Sequence, residues 1–253
     1  MWPETVRGLM IHSAEWSDKM KRQFCIDETK KRDRKNLLRA CGYGIPNLNN
    51  AIQCMNNSVN MIIQSKLQPY NKKGMNEMHI HTIPWPKEVL RDLGDVQVKI
   101  KVTLSYYIEP SPGEVGWKDR YRYPSCGLRF EVNNHNQDYD TFKRSVNALM
   151  REDEDASNEG SSGSGRWYLG KSRNCGSVHS DYIEENAVDL CECNYIAVYP
   201  IGGWWKERQY LGKVESKVRY SLIVSLSTPE VNVDLYTPIK NQISNIVEVS
   251  IPT

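Results

Sequence analysis

The stretch from Asp95 to Ile108, DVQVKIKVTLSYYI, alternates apolar and polar residues over most of its length. Successive side chains of a strand point to opposite faces. Val96, Val98, Ile100, Val102 and Leu104 therefore share one side, and Gln97, Lys99, Lys101 and Thr103 share the other. Such a strand is half buried and antiparallel, and its apolar face needs a second layer to cover it. Other runs read the same way: 58–67, 76–83, 127–132, 166–169, 195–199, 217–226 and 231–236. Pro110-Ser111-Pro112-Gly113 is a turn signal, and one helix is expected at 140–151. Many strands with few helices point to a mainly antiparallel β-sandwich, jelly-roll-like, over residues 56–253. Residues 151–165, REDEDASNEGSSGSG, are acidic and then Ser/Gly-rich, the composition of a flexible loop inside that domain.

Residues 1–55 have a different character and read as helical. Pro3 suits a first helical turn, and Glu4 then sits near the positive end of the helix dipole. Val6, Leu9, Met10 and Ser13 fall on one face at spacings of three and four, with Trp2 leading in. The charged run Asp27–Lys35 reads as a solvated helix or loop. Leu37, Leu38 and Ala40 lead to Gly42-Tyr43-Gly44, which ends a helix, and Pro46 can start another.

Composition excludes several classes. Lys and Arg total 33 against 31 Asp and Glu, a net charge of +2, without the concentrated basic face that nucleic acid requires. No apolar run is long enough to cross a membrane, and Trp2-Pro3-Glu4 interrupts any secretory signal. Seven scattered cysteines, an odd number, read as reduced thiols of a cytoplasmic protein.

Four segments resemble parts of the subtilisin-like serine proteases. Trp2-Pro3-Glu4-Thr5-Val6-Arg7-Gly8-Leu9-Met10 is similar to the amphipathic helix that follows the catalytic-serine helix in that family. Gly42-Tyr43-Gly44-Ile45-Pro46-Asn47 through Ala51 resembles the element that closes the catalytic domain. Thr103–Pro110 and Ile196–Arg208 are similar to segments near the C-terminus of large bacterial subtilases, often encoded beside an AAA-type ATPase in an arrangement linked to phage defence. The resemblance implies that residues 1–55 are the helical end of a subtilase α/β domain and that 56–253 form an accessory sandwich. It also implies peptide-bond hydrolysis by the intact protein, in a bacterial cytoplasm, on a peptide or protein substrate. The implied partners are the N-terminal catalytic portion of the same protein and an AAA-type ATPase; no cofactor, nucleic acid or membrane is expected. The family's Asp, His and Gly-Thr-Ser motifs would precede Pro3, so no catalytic residue is expected in this chain, which alone is expected to be inactive. The alternative is a stand-alone, non-enzymatic β-sandwich binding module.

Candidate sites within the chain are weaker. Ser177, His179 and Asp181 are the residue types of a triad, but along one strand they stand too far apart, so a polar strand edge is the preferred reading. His12-Ser13 reads as part of a helix packed on a missing neighbour rather than as catalytic. His79 and His81 can share a face but lack a third metal ligand, and Cys175, His179, Cys191 and Cys193 match no zinc module, so no metal site is expected. Trp204, Trp205, Lys206 and Arg208 combine residue types enriched in binding hot spots, and are the candidate partner surface; the competing reading makes the two rings a cap on the core.

Overall fold

The computed structural model describes residues 1–52, 58–112, 123–154, 165–230, 233–235, 237 and 249–252. Helices α1 (Pro3–His12), α2 (Asp18–Phe24), α3 (Lys31–Cys41) and α4 (Leu48–Ile52) open the chain. Strand β1 (Ser58–Leu67) follows, then a small hairpin of β2 (Tyr70–Asn71) and β3 (Gly74–Met75), β4 (Glu77–Thr82), α5 (Lys87–Leu93) and β5 (Gln97–Tyr106). After them come β6 (Gly127–Val132), α6 (Tyr139–Glu154), β7 (Val178–Asn186), α7 (Ala187–Leu190), β8 (Tyr195–Ile201), α8 (Trp204–Glu207), β9 (Val218–Ser227) and β10 (Val249–Pro252).

Eight strands form two antiparallel four-stranded sheets, ordered β1-β9-β5-β7 and β10-β4-β8-β6. No two of these strands that are consecutive in the chain are neighbours in a sheet. Every connection between them passes from one sheet to the other. The apolar faces meet in one core: Val102 and Leu104 of β5 and Leu222 and Val224 of β9 share it with Phe130 of β6 and Val198 of β8. This is the second layer that the alternation in β5 demanded.

Helices cover both outer faces. Phe142, Val146 and Met150 of α6 pack on Met78, Ile80, Ala197 and Tyr199 of the second sheet. Helix α1 lies across β9 and β5 of the first sheet. Gly8 permits this contact, because a Cβ there would stand 2.8 Å from Ile223 Cδ1 and 3.3 Å from Ser105 Cβ. The chain is thus a mixed α/β structure of four layers, helix–sheet–sheet–helix.

Expected strands at 58–67, 76–83, 95–108, 127–132, 195–199 and 217–226 correspond to β1, β4, β5, β6, β8 and β9, with ends shifted by a few residues. The helix expected at 140–151 is α6. Residues 166–169 are not a strand. Their polar groups make separate contacts instead: Arg166 binds Glu185, Trp167 Nε1 donates to Glu131, and the Leu169 backbone amide donates to Asp181 at 2.8 Å. The domain boundary expected at residue 55 lies outside the described residues, as do 155–164 of the expected loop. Residues 151–154 of that loop belong to α6. Of the strand expected at 231–236, residues 231, 232 and 236 lie outside the described residues, and 233–235 have no regular structure.

Candidate functional site

Helix α1 is turned the opposite way from an ordinary surface helix. Its buried residues are Glu4, Thr5, Gly8 and His12. Each polar one finds a partner in the sheet. Arg219 Nε donates to Glu4 Oε1 at 3.1 Å, Gln64 donates to Thr5 Oγ1, and His12 Nδ1 lies 2.9 Å from Thr103 Oγ1. Arg7, at the edge of this face, donates to Ser105 Oγ and to the carbonyls of Tyr106 and Ser177. The outward side carries Val6, 49% exposed, and Met10, 54% exposed, one turn apart. A helix normally buries its apolar stripe and leaves its polar side to water. Here the sheet beneath α1 is itself polar, so it selects the polar face of the helix.

Where α1 ends, the chain turns away from the sheet. Glu15 and Ile45 exchange backbone hydrogen bonds at 3.1 and 2.9 Å. Gly44 makes this approach possible: its φ is +97°, and a Cβ would lie 2.2 Å from the Glu15 carbonyl oxygen. The departure uncovers part of the first sheet and leaves a cleft of about 510 Å³. Its floor is a register of outward side chains. Asn60, Ser225, Lys101 and Tyr182 form one cross-strand row, and Ser58, Ser227 and Lys99 sit in the next. Ser13 to Trp16, Tyr43 and Asn49-Asn50 supply the wall.

His12 lines this cleft although it is only 6% exposed. Thr103 Oγ1 continues its hydrogen bond to Ser180 Oγ at 2.7 Å, while Nε2 of His12 has no hydrogen-bond partner among the described residues. Burial and the nearby Lys101 charge hold the His12 pKa down at about 3, so the ring is neutral. Burial also lowers the Lys101 pKa to about 8, with a smaller push from Lys99. Lys101 Nζ donates to the Ala14 carbonyl at 3.0 Å, and no carboxylate among the described residues forms an ion pair with it. Sequence reasoning set His12-Ser13 against a missing helix and sent Lys101 to solvent. In the folded chain both belong to the interface between α1 and this chain's own sheet, which only the crossing of α1 over β5 creates.

The tryptophan pair requires a correction. Trp204 is 1% exposed and Trp205 8%, and their indole N–H groups donate to the Glu109 carbonyl and to Glu109 Oε2 at 3.0 and 3.1 Å. Both rings belong to the core between the sheets. A partner surface built on Trp204, Trp205, Lys206 and Arg208 therefore loses its two rings; Lys206 and Arg208 are half-buried beside them. The tight entry comes from Gly203, where a Cβ would meet the Ser125 carbonyl oxygen at 2.3 Å.

The remaining candidates are separated. Ser177 Oγ accepts from Arg7, His179 Nδ1 lies 2.9 Å from the Arg173 carbonyl, and Asp181 binds the Arg173 guanidinium at 3.2 Å. These three side chains make no triad. His79 and His81 bracket the Tyr220 hydroxyl at 2.7 and 2.8 Å in the interior. Cys175 is exposed, whereas Cys191 and Cys193 are buried and donate to the Val188 and Asp189 carbonyls. No helix among the described residues is long and apolar enough to cross a membrane. Comparison of the chain with protein-family models, curated proteins and solved structures finds no match.

Proposed function

We propose that this chain is the C-terminal part of a subtilisin-like serine endopeptidase, contributing a docking helix and an accessory sandwich rather than catalytic residues. The observation that carries the reading is the orientation of α1, whose Val6 and Met10 face outward while its polar side is buried. An amphipathic helix held with its apolar side to water is what a helix awaiting a second helix looks like. The segment is the one whose sequence is similar to the subtilase helix that packs on the catalytic-serine helix. In the intact protein, hydrolysis would then depend on a serine, a histidine and an aspartate from the preceding portion. The sandwich, with strands that pass between sheets at every long connection in a jelly-roll-like manner, would brace that portion or restrict access to its cleft. An AAA-type ATPase and a peptide or protein substrate are partners of the whole protein under this reading, in a bacterial cytoplasm and a setting such as phage defence.

A photoreactive residue at Val6 or Met10, irradiated in the cells that make the protein, tests the reading. The expected product joins that position to a peptide carrying a Gly-Thr-Ser motif, in the same polypeptide or in another. Cross-links that run only to proteins lacking such a motif would overturn it. A second reading, a stand-alone non-enzymatic binding module, draws on the polar cleft beside α1. It predicts a monodisperse chain, whereas a severed docking helix predicts self-association through Val6 and Met10.

A further inference from the structure

We propose that the cleft at the end of α1 binds a small ligand bearing an oxyanion, a carboxylate or a phosphate, with Lys101 Nζ as its charge partner and His12 Nε2 as a hydrogen-bond partner for its neutral part. This holds whether or not the chain belongs to a protease.

The charges around the cleft are met in different ways. Lys99 is paired with Glu184 at 2.9 Å and Lys21 with Glu28 at 3.2 Å. Asp181 is neutralised by Arg173 at 3.2 Å, and Glu15 accepts from Asn50 Nδ2 at 3.0 Å. Lys101 is met by a backbone carbonyl and, among the described residues, by no ion-paired carboxylate; the Glu15 carboxylate acts on it only at longer range. Taking a cation out of water without a counter-charge is costly, and an anion placed beside it relieves that cost. The second observation is independent. His12 Nε2 is buried and has no hydrogen-bond partner among the described residues, on a ring whose other nitrogen is fixed by Thr103. Buried polar atoms are normally satisfied, so one without a partner on a residue that lines the cleft marks a place for a ligand atom. Ser225, Ser227, Ser58 and the Asn49-Asn50 pair add neutral donors and acceptors around the same space. The volume of about 510 Å³ lies within the range of about 300–1,000 Å³ usual for small-molecule sites.

The test uses the full chain, isotopically labelled, with inorganic phosphate and succinate as two separate probes. The Lys101 side-chain resonance is followed through a pH titration with and without each probe. The expected result is saturable binding of at least one probe, accompanied by an upward move of the Lys101 midpoint by about one unit, the shift that linkage equates with a tenfold preference for the charged lysine. Lys101→Met should weaken that binding at least tenfold. Response to phosphate alone would identify a phosphate-bearing ligand, and response to succinate alone a carboxylate. Absence of saturation with both probes, or saturation that leaves the Lys101 midpoint in place, would overturn the proposal. The wild-type titration decides the matter even if Lys101→Met fails to fold.

Discussion

Acid should unfold this protein through two buried histidines. His12 and His179 have pKa values lowered to about 3 and about 4, in both cases first by burial. Unfolded, each returns to an ordinary value of about 6.5. Their folded pKa values lie below the unfolded ones, so the unfolded chain binds more protons as the pH falls. Stability is therefore complete above about pH 6.5 and is lost progressively down through the folded values. At about pH 4.5 each histidine has lost nearly two pKa units, roughly 2.5 kcal/mol, and the pair about 5 kcal/mol. That is comparable to the whole stability of an ordinary domain, about 5–15 kcal/mol. Asp181 acts in the opposite sense, because burial raises its pKa and protonation then favours the folded state; it offsets part of the loss. Urea unfolding at about pH 7 and about pH 4.5 measures the difference, in the wild type and in His12→Gln and His179→Gln. Each variant should start less stable at neutral pH yet lose only about half as much on acidification, since one of the two protonation sites is gone. Variant curves that fall in parallel with the wild type would refute the assignment of acid sensitivity to these rings.

Gly44→Ala should cost roughly 2–4 kcal/mol in chemical denaturation, because φ is +97° and the new Cβ would sit on the Glu15 carbonyl. Arg173→Met removes the partner of buried Asp181 and Glu131 and should destabilise by about 3–5 kcal/mol, with part of the loss recovered at low pH as Asp181, whose pKa burial raises, protonates. Trp204→Ala should cost about 3–5 kcal/mol of thermal stability, the range for emptying a buried aromatic site. Val6→Ser with Met10→Ser should change stability by less than about 0.5 kcal/mol, as surface changes do, while sharply lowering self-association in sedimentation.

The sequence by itself determined the elements whose pattern is local. The alternation in β5 specified which residues face the core, since a strand's period of two leaves no other choice. Gly42 and Gly44 marked the end of a helix before any partner was known, and both have positive φ. What sequence could not supply was the second surface of each contact. The apolar face of α1 was legible, but nothing local says that Thr103, Ser105 and Gln64 offer a polar bed that captures the other face. Trp204 and Trp205 read more as core than as surface, but an indole suits either until its N–H finds Glu109 within the fold. Likewise, Lys101 belongs to an outward, solvent-facing row by its period, and it is the crossing of α1 and the return of the chain at Gly44 that enclose it. Periodicity is a property of one segment; burial is a property of two, and the second is chosen only when the sheets and helices come together.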